Sequence, residues 1–276
     1  MRRIDLVERP NWDYQQRRVL NQFLDLNAVH TYVDGAEDTI GIRPDGQLQF
    51  VVLRSKIDQE LEQQALEVCR FVYDPGSAAR RVVAAGYAID PKASSVVLGF
   101  MERHRHQPYA RATALTLKYP EKFRQILPYM QHVDKLYRDC EGLKDVYAVQ
   151  QAAAARTKPC WLIPSTVSTT LTVNQDWRTA CHPDEGNLHG AFSALTCMAS
   201  GLTGGELIWP RWGVAIPFGN GDVIFGNFHE LHCNAQFVKE PGEFERIERI
   251  TLVQYFREKM TQCGTPQEEL DRVKMM

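Results

Sequence analysis

No stretch of this 276-residue chain runs to about eighteen consecutive apolar residues, so no membrane-spanning helix is expected. The opening residues, Met1 to Glu8, carry no apolar segment and no small-residue cleavage site, so no secretory leader is expected either. Seven cysteines are scattered without a single Cys-X-X-Cys pair. The odd count favours reduced thiols and an intracellular setting, cytoplasmic or nuclear. Charge is scarce in net terms, at −2. A chain so balanced does not advertise a nucleic-acid binder unless its cations are gathered on one face. Internal repeats, low-complexity stretches and long flexible linkers are also missing. What is there is ordinary for a globular protein: 44% hydrophobic and 24% charged residues, enough to bury a substantial core. A single domain over 1–276 and a monomer with no membrane partner are expected.

The two halves read differently. Over 1–157 the signal is mainly helical. Leu61, Ala65, Leu66, Val68, Cys69 and Phe71 recur at helical spacing, as do Phe123, Ile126, Leu127, Met130, Val133, Leu136 and Tyr137. Pro128 sits inside the second stripe and is expected to kink or split it. Val146 to Ala155 is a good helix former. Gln47 to Leu53 reads as a strand after the Asp45-Gly46 turn. From 158 to 258 the pattern changes to short strands: Ser168–Val173, Ser193–Met198, Glu206–Trp209, Asp222–Gly226, His232–Phe237 and Ile250–Arg257, punctuated by glycines. Residues 259–276 read as a tail. Together these predict an α+β fold with an antiparallel barrel or jelly roll in the C-terminal half and the N-terminal helices packed outside it.

The chemistry concentrates in His182-Pro183-Asp184, followed roughly fifty residues later by His232 and then by Arg249. In an extended segment the X of His-X-Asp puts both side chains on one side, because strand side chains alternate. Two imidazoles and one carboxylate can occupy one face of iron(II), leaving positions open for a bidentate cosubstrate and O2. His182, Asp184 and His232 are the expected ligands. His229 competes with His232, but three residues of extended chain cannot turn both inward, and His232 leads into the polar alternation Asn234, Gln236. Arg249 opens the last apolar strand with Thr251 on its face, and a guanidinium there can fork onto a distal carboxylate. Arg246 and Arg257 compete with it; Arg246 lies in a charged turn. Asn174 and Arg178 share the parity of His182, so Arg178 either faces the site or forms a structural salt bridge.

The stretch Thr170 to Asn187, with Gly204-Gly205-Glu206-Leu207, Gly221-Asp222-Val223-Ile224 and His232-Cys233-Asn234, resembles the TET/JBP family of iron(II)/2-oxoglutarate nucleic-acid dioxygenases, over roughly residues 165 to 258. The texture is closer to the thymine-hydroxylating branch, with its microbial and phage relatives. The resemblance implies a double-stranded β-helix core, with Fe(II), 2-oxoglutarate and O2 as cofactors. It implies oxidation of a 5-methyl group on a pyrimidine in DNA. By position, His182, Asp184 and His232 match the iron ligands, and Arg249 and Thr251 match residues on the 2-oxoglutarate carboxylate. Asn174 and Arg178 are further candidates for the cosubstrate. Asn187 falls where TET enzymes read the flipped base and thymine-acting members more often carry an acidic residue. Tyr255 matches a base-stacking tyrosine, and Arg257 replaces a base-contacting histidine.

An amide has both a donor and an acceptor, so Asn187 can serve either pyrimidine by rotating; its presence in place of an aspartate tilts the expectation towards 5-methylcytosine over thymine. A base inside a duplex must be extruded to reach the oxidant. Phosphate contacts are expected from the basic segment Arg103 to Arg111, with Lys118, Lys122 and Arg124 behind it, and from Arg80-Arg81. Trp209 and Trp212 carry no assigned role. Two other functions compete: a hydroxylase of a free metabolite or protein side chain, favoured by the near-neutral charge, and a DNA-binding barrel without turnover.

Overall fold

Period-two alternation and helical stripes resolve into two sheets facing each other, with helices covering the outer side of the larger one. The computed structural model describes residues 1–73 and 94–275. In chain order the elements are β1 (Arg2–Asp5), α1 (Trp12–Val19), β2 (Thr31–Tyr32), β3 (Thr39–Ile42), β4 (Leu48–Leu53), α2 (Gln59–Tyr73), β5 (Ser94–Met101), β6 (Arg111–Ala112), α3 (Ala114–Lys118), α4 (Pro120–Asp139) and α5 (Lys144–Arg156). There follow β7 (Thr170–Gln175), β8 (Ser193–Ser200), β9 (Leu202–Gly204), β10 (Leu207–Trp209), β11 (Val214–Ile216), β12 (Val223–Gly226), β13 (Cys233–Asn234), β14 (Phe237–Lys239), β15 (Glu248–Tyr255) and α6 (Pro266–Lys274). None of the described helices is long and apolar enough to cross a membrane.

The larger sheet runs β1-β3-β4-β12-β8-β15-β7-β5-β6 and the smaller β13-β10-β11-β2. β15 is its spine, paired antiparallel with β8 on one side and β7 on the other. Along β15 the side chains divide by parity. Ile250 and Leu252 join Val173, Val96, Ala194 and Phe225 in the core beneath α2, α4 and α5. The odd-numbered residues face the second sheet, where Val253 packs with Leu195, Leu207, Trp209 and Phe228. Trp209 and Trp212 are buried in this inner layer. The arrangement is an α+β fold of the double-stranded β-helix type, with helices outside, as the patterning predicts.

The sheet reaches further back in the chain than the alternation over 158–258 suggests. β1, β3, β4, β5 and β6 all come from residues before 158, and β4 and β5 lie deep in the ladder order. β4 matches the strand expected over Gln47–Leu53, whereas the runs of β1, β3, β5 and β6 are too short or too mixed for local pattern to reveal them. Further expectations are narrowed or corrected. α4 is not split at Pro128 but continues through it as one helix; Ile126, Tyr129, Met130 and Val133 lock it on the core on both sides of the proline. The expected strand His232–Phe237 is broken into β13 and β14, because β13 pairs with β10 while β14 pairs with β9 in a separate ribbon. Residues 259–276 are no mere tail: α6 begins with a capping box between Thr265 and Glu268. Glu269, 1% exposed, then accepts from Arg103, from Ala110 N at 2.9 Å and from Gly264 N at 2.8 Å.

Two outcomes follow from this packing. Phe225 is fully buried and stacks on Tyr137 with ring centroids 4.9 Å apart. Phe225→Ala should cost about 3–5 kcal/mol in chemical denaturation. The Arg103 hydrogen bonds hold the Glu269 carboxyl down at about 2. An unfolded glutamate titrates near 4.3, so the stability Glu269 contributes is full above that range and drains away as pH falls towards 2. The pH dependence of unfolding over that window should flatten in Glu269→Gln.

Candidate metal centre and adjoining cavity

Between β7 and β8 the chain makes a long excursion whose ends are pinned to β15 and to the loop before β13. Asp176, at φ 50°, starts it: its backbone N–H donates to Arg249 O at 2.8 Å and its carboxylate accepts from Arg249 N at 2.8 Å. Pro183 disfavours helical backbone at His182. His182 and His232 accordingly form an antiparallel bridge, each N–H donating to the other's carbonyl at 3.1 Å. Asp184 N donates to Phe228 O at 2.8 Å, fixing the third residue against the same loop.

The side chains converge. The ligand atoms of His182, Asp184 and His232 lie within 4.8 Å of one another, the one such group among the described residues. Asp184 Oδ1 is 3.5 Å from His182 Nε2 and 4.0 Å from His232 Nε2. Each imidazole donates Nδ1–H to a carbonyl two residues back, Ala180 O at 2.9 Å and Glu230 O at 3.0 Å. A carbonyl only accepts, so the proton sits on Nδ1 and the Nε2 lone pairs turn inward. Burial pushes His232 down to about 4, which keeps it neutral. Burial opposes protonation of His182 most strongly, but the Asp184 hydrogen bond, the Asp184 charge and the Ala180 carbonyl together outweigh it, and its pKa lies above the usual value. Asp184 is held low despite burial by that bond and by the histidine charges. Two imidazole nitrogens and one carboxylate oxygen on one side of a space fit a divalent iron with open positions.

His229 sits elsewhere. Its ring stacks on His189 at 4.1 Å, nearly parallel at 11°. One side chain of the pair turns to the cluster and the other to the rim, as three-residue spacing in extended chain requires.

A cavity of about 320 Å3 opens beside the cluster. One end is formed by Asn174, Thr251 and Asn234, the other by Asn187, Tyr255 and Arg257. Behind the first end lies Arg249, 3% exposed, on β15. Its guanidinium donates to Gly205 O at 3.0 Å and lies over the rings of Phe218 and Phe237 at 5.1 and 5.8 Å. Among the described residues no carboxylate is paired with it. A buried cation with only a carbonyl and two ring faces is poorly compensated and suits an anionic ligand. Gly205 is required here: at φ 72° a Cβ would sit 2.9 Å from Arg249 Nε. Asn174 Nδ2 reaches Thr251 Oγ1 at 3.5 Å, so these two polar groups stand side by side. Arg246 is exposed in its turn.

At the other end, Tyr255 is tethered by its hydroxyl to Thr172 Oγ1 at 3.0 Å, and burial raises its pKa to about 12. Asn187 Nδ2 donates to Asp184 Oδ2 and to Ser193 Oγ, both at 3.2 Å. Arg257 is clamped by Glu102, with Nε 2.9 Å from each carboxylate oxygen, and donates to Glu185 O at 3.1 Å.

Arg178 does not join the cavity. It bonds Asp25 Oδ1 at 2.7 Å, Leu24 O at 3.0 Å and Gln236 Oε1 at 2.6 Å, so the structural salt bridge wins over the cosubstrate contact. The turn at Asp176 breaks the strand before Arg178, and the parity argument with it. In the basic segment Arg103 is spent on Glu269. Arg80 and Arg81 lie outside the described residues. Sequence reading missed Ser193, Glu102, Thr172 and Ser95. Asn234, in contrast, shares the parity of His232 and was detectable; the other four carry no motif, Ser193, Thr172 and Ser95 being brought in by sheet pairing and Glu102 by its ion pair with Arg257.

Comparison with known proteins agrees with this geometry. The sequence profile described as Tet_JBP, oxygenase domain of the 2OGFeDO superfamily, matches residues 95–258. The chain is 30% identical over 149 residues to a protein named thymine dioxygenase JBP1 from Crithidia fasciculata, covering 54% of this chain and 18% of that protein. It is 25% identical over 233 residues to the protein of the same name from Leishmania infantum, covering 83% of this chain and 27% of that protein. The chain thus spans roughly a fifth to a quarter of the curated relatives it matches. Among solved structures, "NgTET1 in complex with 5mC DNA" aligns with a TM-score of 0.61 over 89% of this chain and 86% of that one at 13% identity, a likeness of fold.

The geometry predicts one metal site per chain. Titration with Fe(II) or Co(II) under anaerobic conditions should show one equivalent bound. His182→Ala, Asp184→Ala and His232→Ala should each abolish it, and His229→Ala should leave it in place. Loss of binding in His229→Ala alone would sink the ligand assignment.

Proposed function

The chain belongs to the Tet_JBP family, the oxygenase domain of the 2-oxoglutarate- and iron-dependent dioxygenase superfamily, and from that membership we propose that it hydroxylates the 5-methyl group of a pyrimidine in DNA, with thymine as the base. Fe(II) with 2-oxoglutarate and O2, when bound, supplies the oxidation of the methyl C–H. The chain's own residues bind, orient and keep water out. His182, His232 and Asp184 Oδ1 hold the metal. Asp184 Oδ2 is engaged by Asn187, so the carboxylate presents a single oxygen and leaves coordination positions free. Arg249 would hold the distal carboxylate of 2-oxoglutarate, with Thr251 and Asn174 beside it, in a buried place where that anion answers a cation that no carboxylate of the described residues compensates.

The extruded base lies at the other end of the cavity. Tyr255 is its stacking face, steadied by Thr172. Arg257 shapes the wall from its clamp on Glu102. The observation that carries the choice of base is the orientation of the Asn187 amide. A carboxylate can only accept, so the NH2 group must face Asp184, and its second hydrogen goes to Ser193. Rotating the amide would break both bonds and set its oxygen against Asp184. The atom left for a ligand is Oδ1, an acceptor. It matches the N3–H of thymine; cytosine carries a lone pair there. This reverses the leaning towards 5-methylcytosine, which rested on free rotation. The names of the two relatives above support the same base.

Mass spectrometry of nucleosides tests the reading. Incubation of the metal-loaded protein with 2-oxoglutarate should convert thymine in duplex DNA to 5-hydroxymethyluracil faster than 5-methylcytosine is oxidised in matched DNA. A preference for 5-methylcytosine would refute the amide argument, and no product from either would refute the substrate class. Arg249→Ala should raise the KM for 2-oxoglutarate at least roughly 30-fold, the effect of truncating one partner of a buried charged pair.

A further inference from the structure

The segment between β5 and β6 is a hairpin beside the end of the cavity lined by Arg257. Met101 pairs with Arg111 and Phe100 with Ala112. Further out, His104 and Gln107 exchange both backbone hydrogen bonds at 3.0 Å, which leaves Arg105 and His106 as a two-residue tip. Two buried carboxylates fasten its base. Glu102, 5% exposed, grips Arg257, a residue of the cavity wall. Glu269 grips Arg103 and the backbone of Ala110 from the opposite side.

The three arginines of the hairpin have different fates. Arg103 is consumed by Glu269. Arg111 is partly buried and turned back towards Glu102 O at 3.5 Å and His104 Nε2 at 3.3 Å. Arg105 is exposed, and among the described residues its side chain has no hydrogen-bond or ion-pair partner. It stands three residues from Glu102, a chain span of at most about 11 Å. A free cation is therefore held at fixed reach from the base pocket, between two exposed histidines.

Resting on the function proposed above, we propose that this hairpin is the arm that grips the DNA backbone, with Arg105 contacting a phosphate of the strand beside the extruded nucleotide. The proposal answers the problem set by a net charge of −2: attraction to a polyanion must come from local features. A phosphate contact positions the duplex and carries no base information, a division of labour that leaves base choice to Asn187.

Fluorescence anisotropy with the full chain and a thymine-containing duplex, over roughly 50–200 mM salt, tests it. In Arg105→Ala the slope of log K against log salt should shrink by about 0.9, the share of one phosphate contact. Affinity should fall severalfold, and the KM for DNA should rise with kcat unchanged. Succinate formed from 2-oxoglutarate without DNA should stay at the wild-type rate. Arg105→Lys should keep the slope. Wild-type slope and affinity in Arg105→Ala, with wild-type protein binding and oxidising the duplex, would overturn the arm and leave the function standing. A wild-type protein that neither binds nor oxidises methylpyrimidine DNA would overturn both.

Discussion

The reciprocal backbone pairing of His182 and His232 is the constraint on which the site depends. Two segments roughly fifty residues apart meet there through a pair of 3.1 Å hydrogen bonds. That pairing puts both imidazoles on one side, within reach of Asp184. It also sets Cys181 and Cys233 together on the other side, where they are buried with Ile208, Ala215 and Ala235. The polar face of the bridge carries the His182, Asp184 and His232 cluster, and the apolar face seals it from behind. Each ring is then steered by its own chain, through a carbonyl two residues earlier, so ligand direction is set by backbone rather than by flexible contacts.

From this bridge the cavity extends in two directions with different chemistry. Towards Arg249 it offers a buried positive charge whose companions among the described residues are a carbonyl oxygen and aromatic faces. Towards Asn187 and Tyr255 it offers a committed amide and a tethered ring. The same amide binds the Asp184 carboxylate and lines the far end of the cavity, so the orientations of the two side chains belong to a single hydrogen-bonding arrangement, closed by Ser193 at the start of β8.

Much of this was legible before folding. The spacing of His182, Asp184, His232 and Arg249, the parity of Thr251 and Tyr255, and the strands of the second half all follow from alternation and residue type. β4 was legible as a strand, but its partner β12, about 170 residues away, was not, and β5, which pairs with β7, was missed altogether, because local alternation does not say which distant strand will pair. Arg178 shows the limit of parity: a single positive-φ residue, Asp176, ends the strand and redirects everything after it.

The sequence by itself determined the chemical inventory of the site and the local periodicities, since both are properties of residue type and spacing along the chain. Only tertiary structure decided which way the Asn187 amide faces, that Arg249 is buried with no counter-charge among the described residues, and that Glu102 and Glu269 fasten the hairpin. The physical reason is common to all three. Hydrogen-bond direction and charge compensation depend on the nearest atoms in space, and those atoms come from strands and helices distant in the chain.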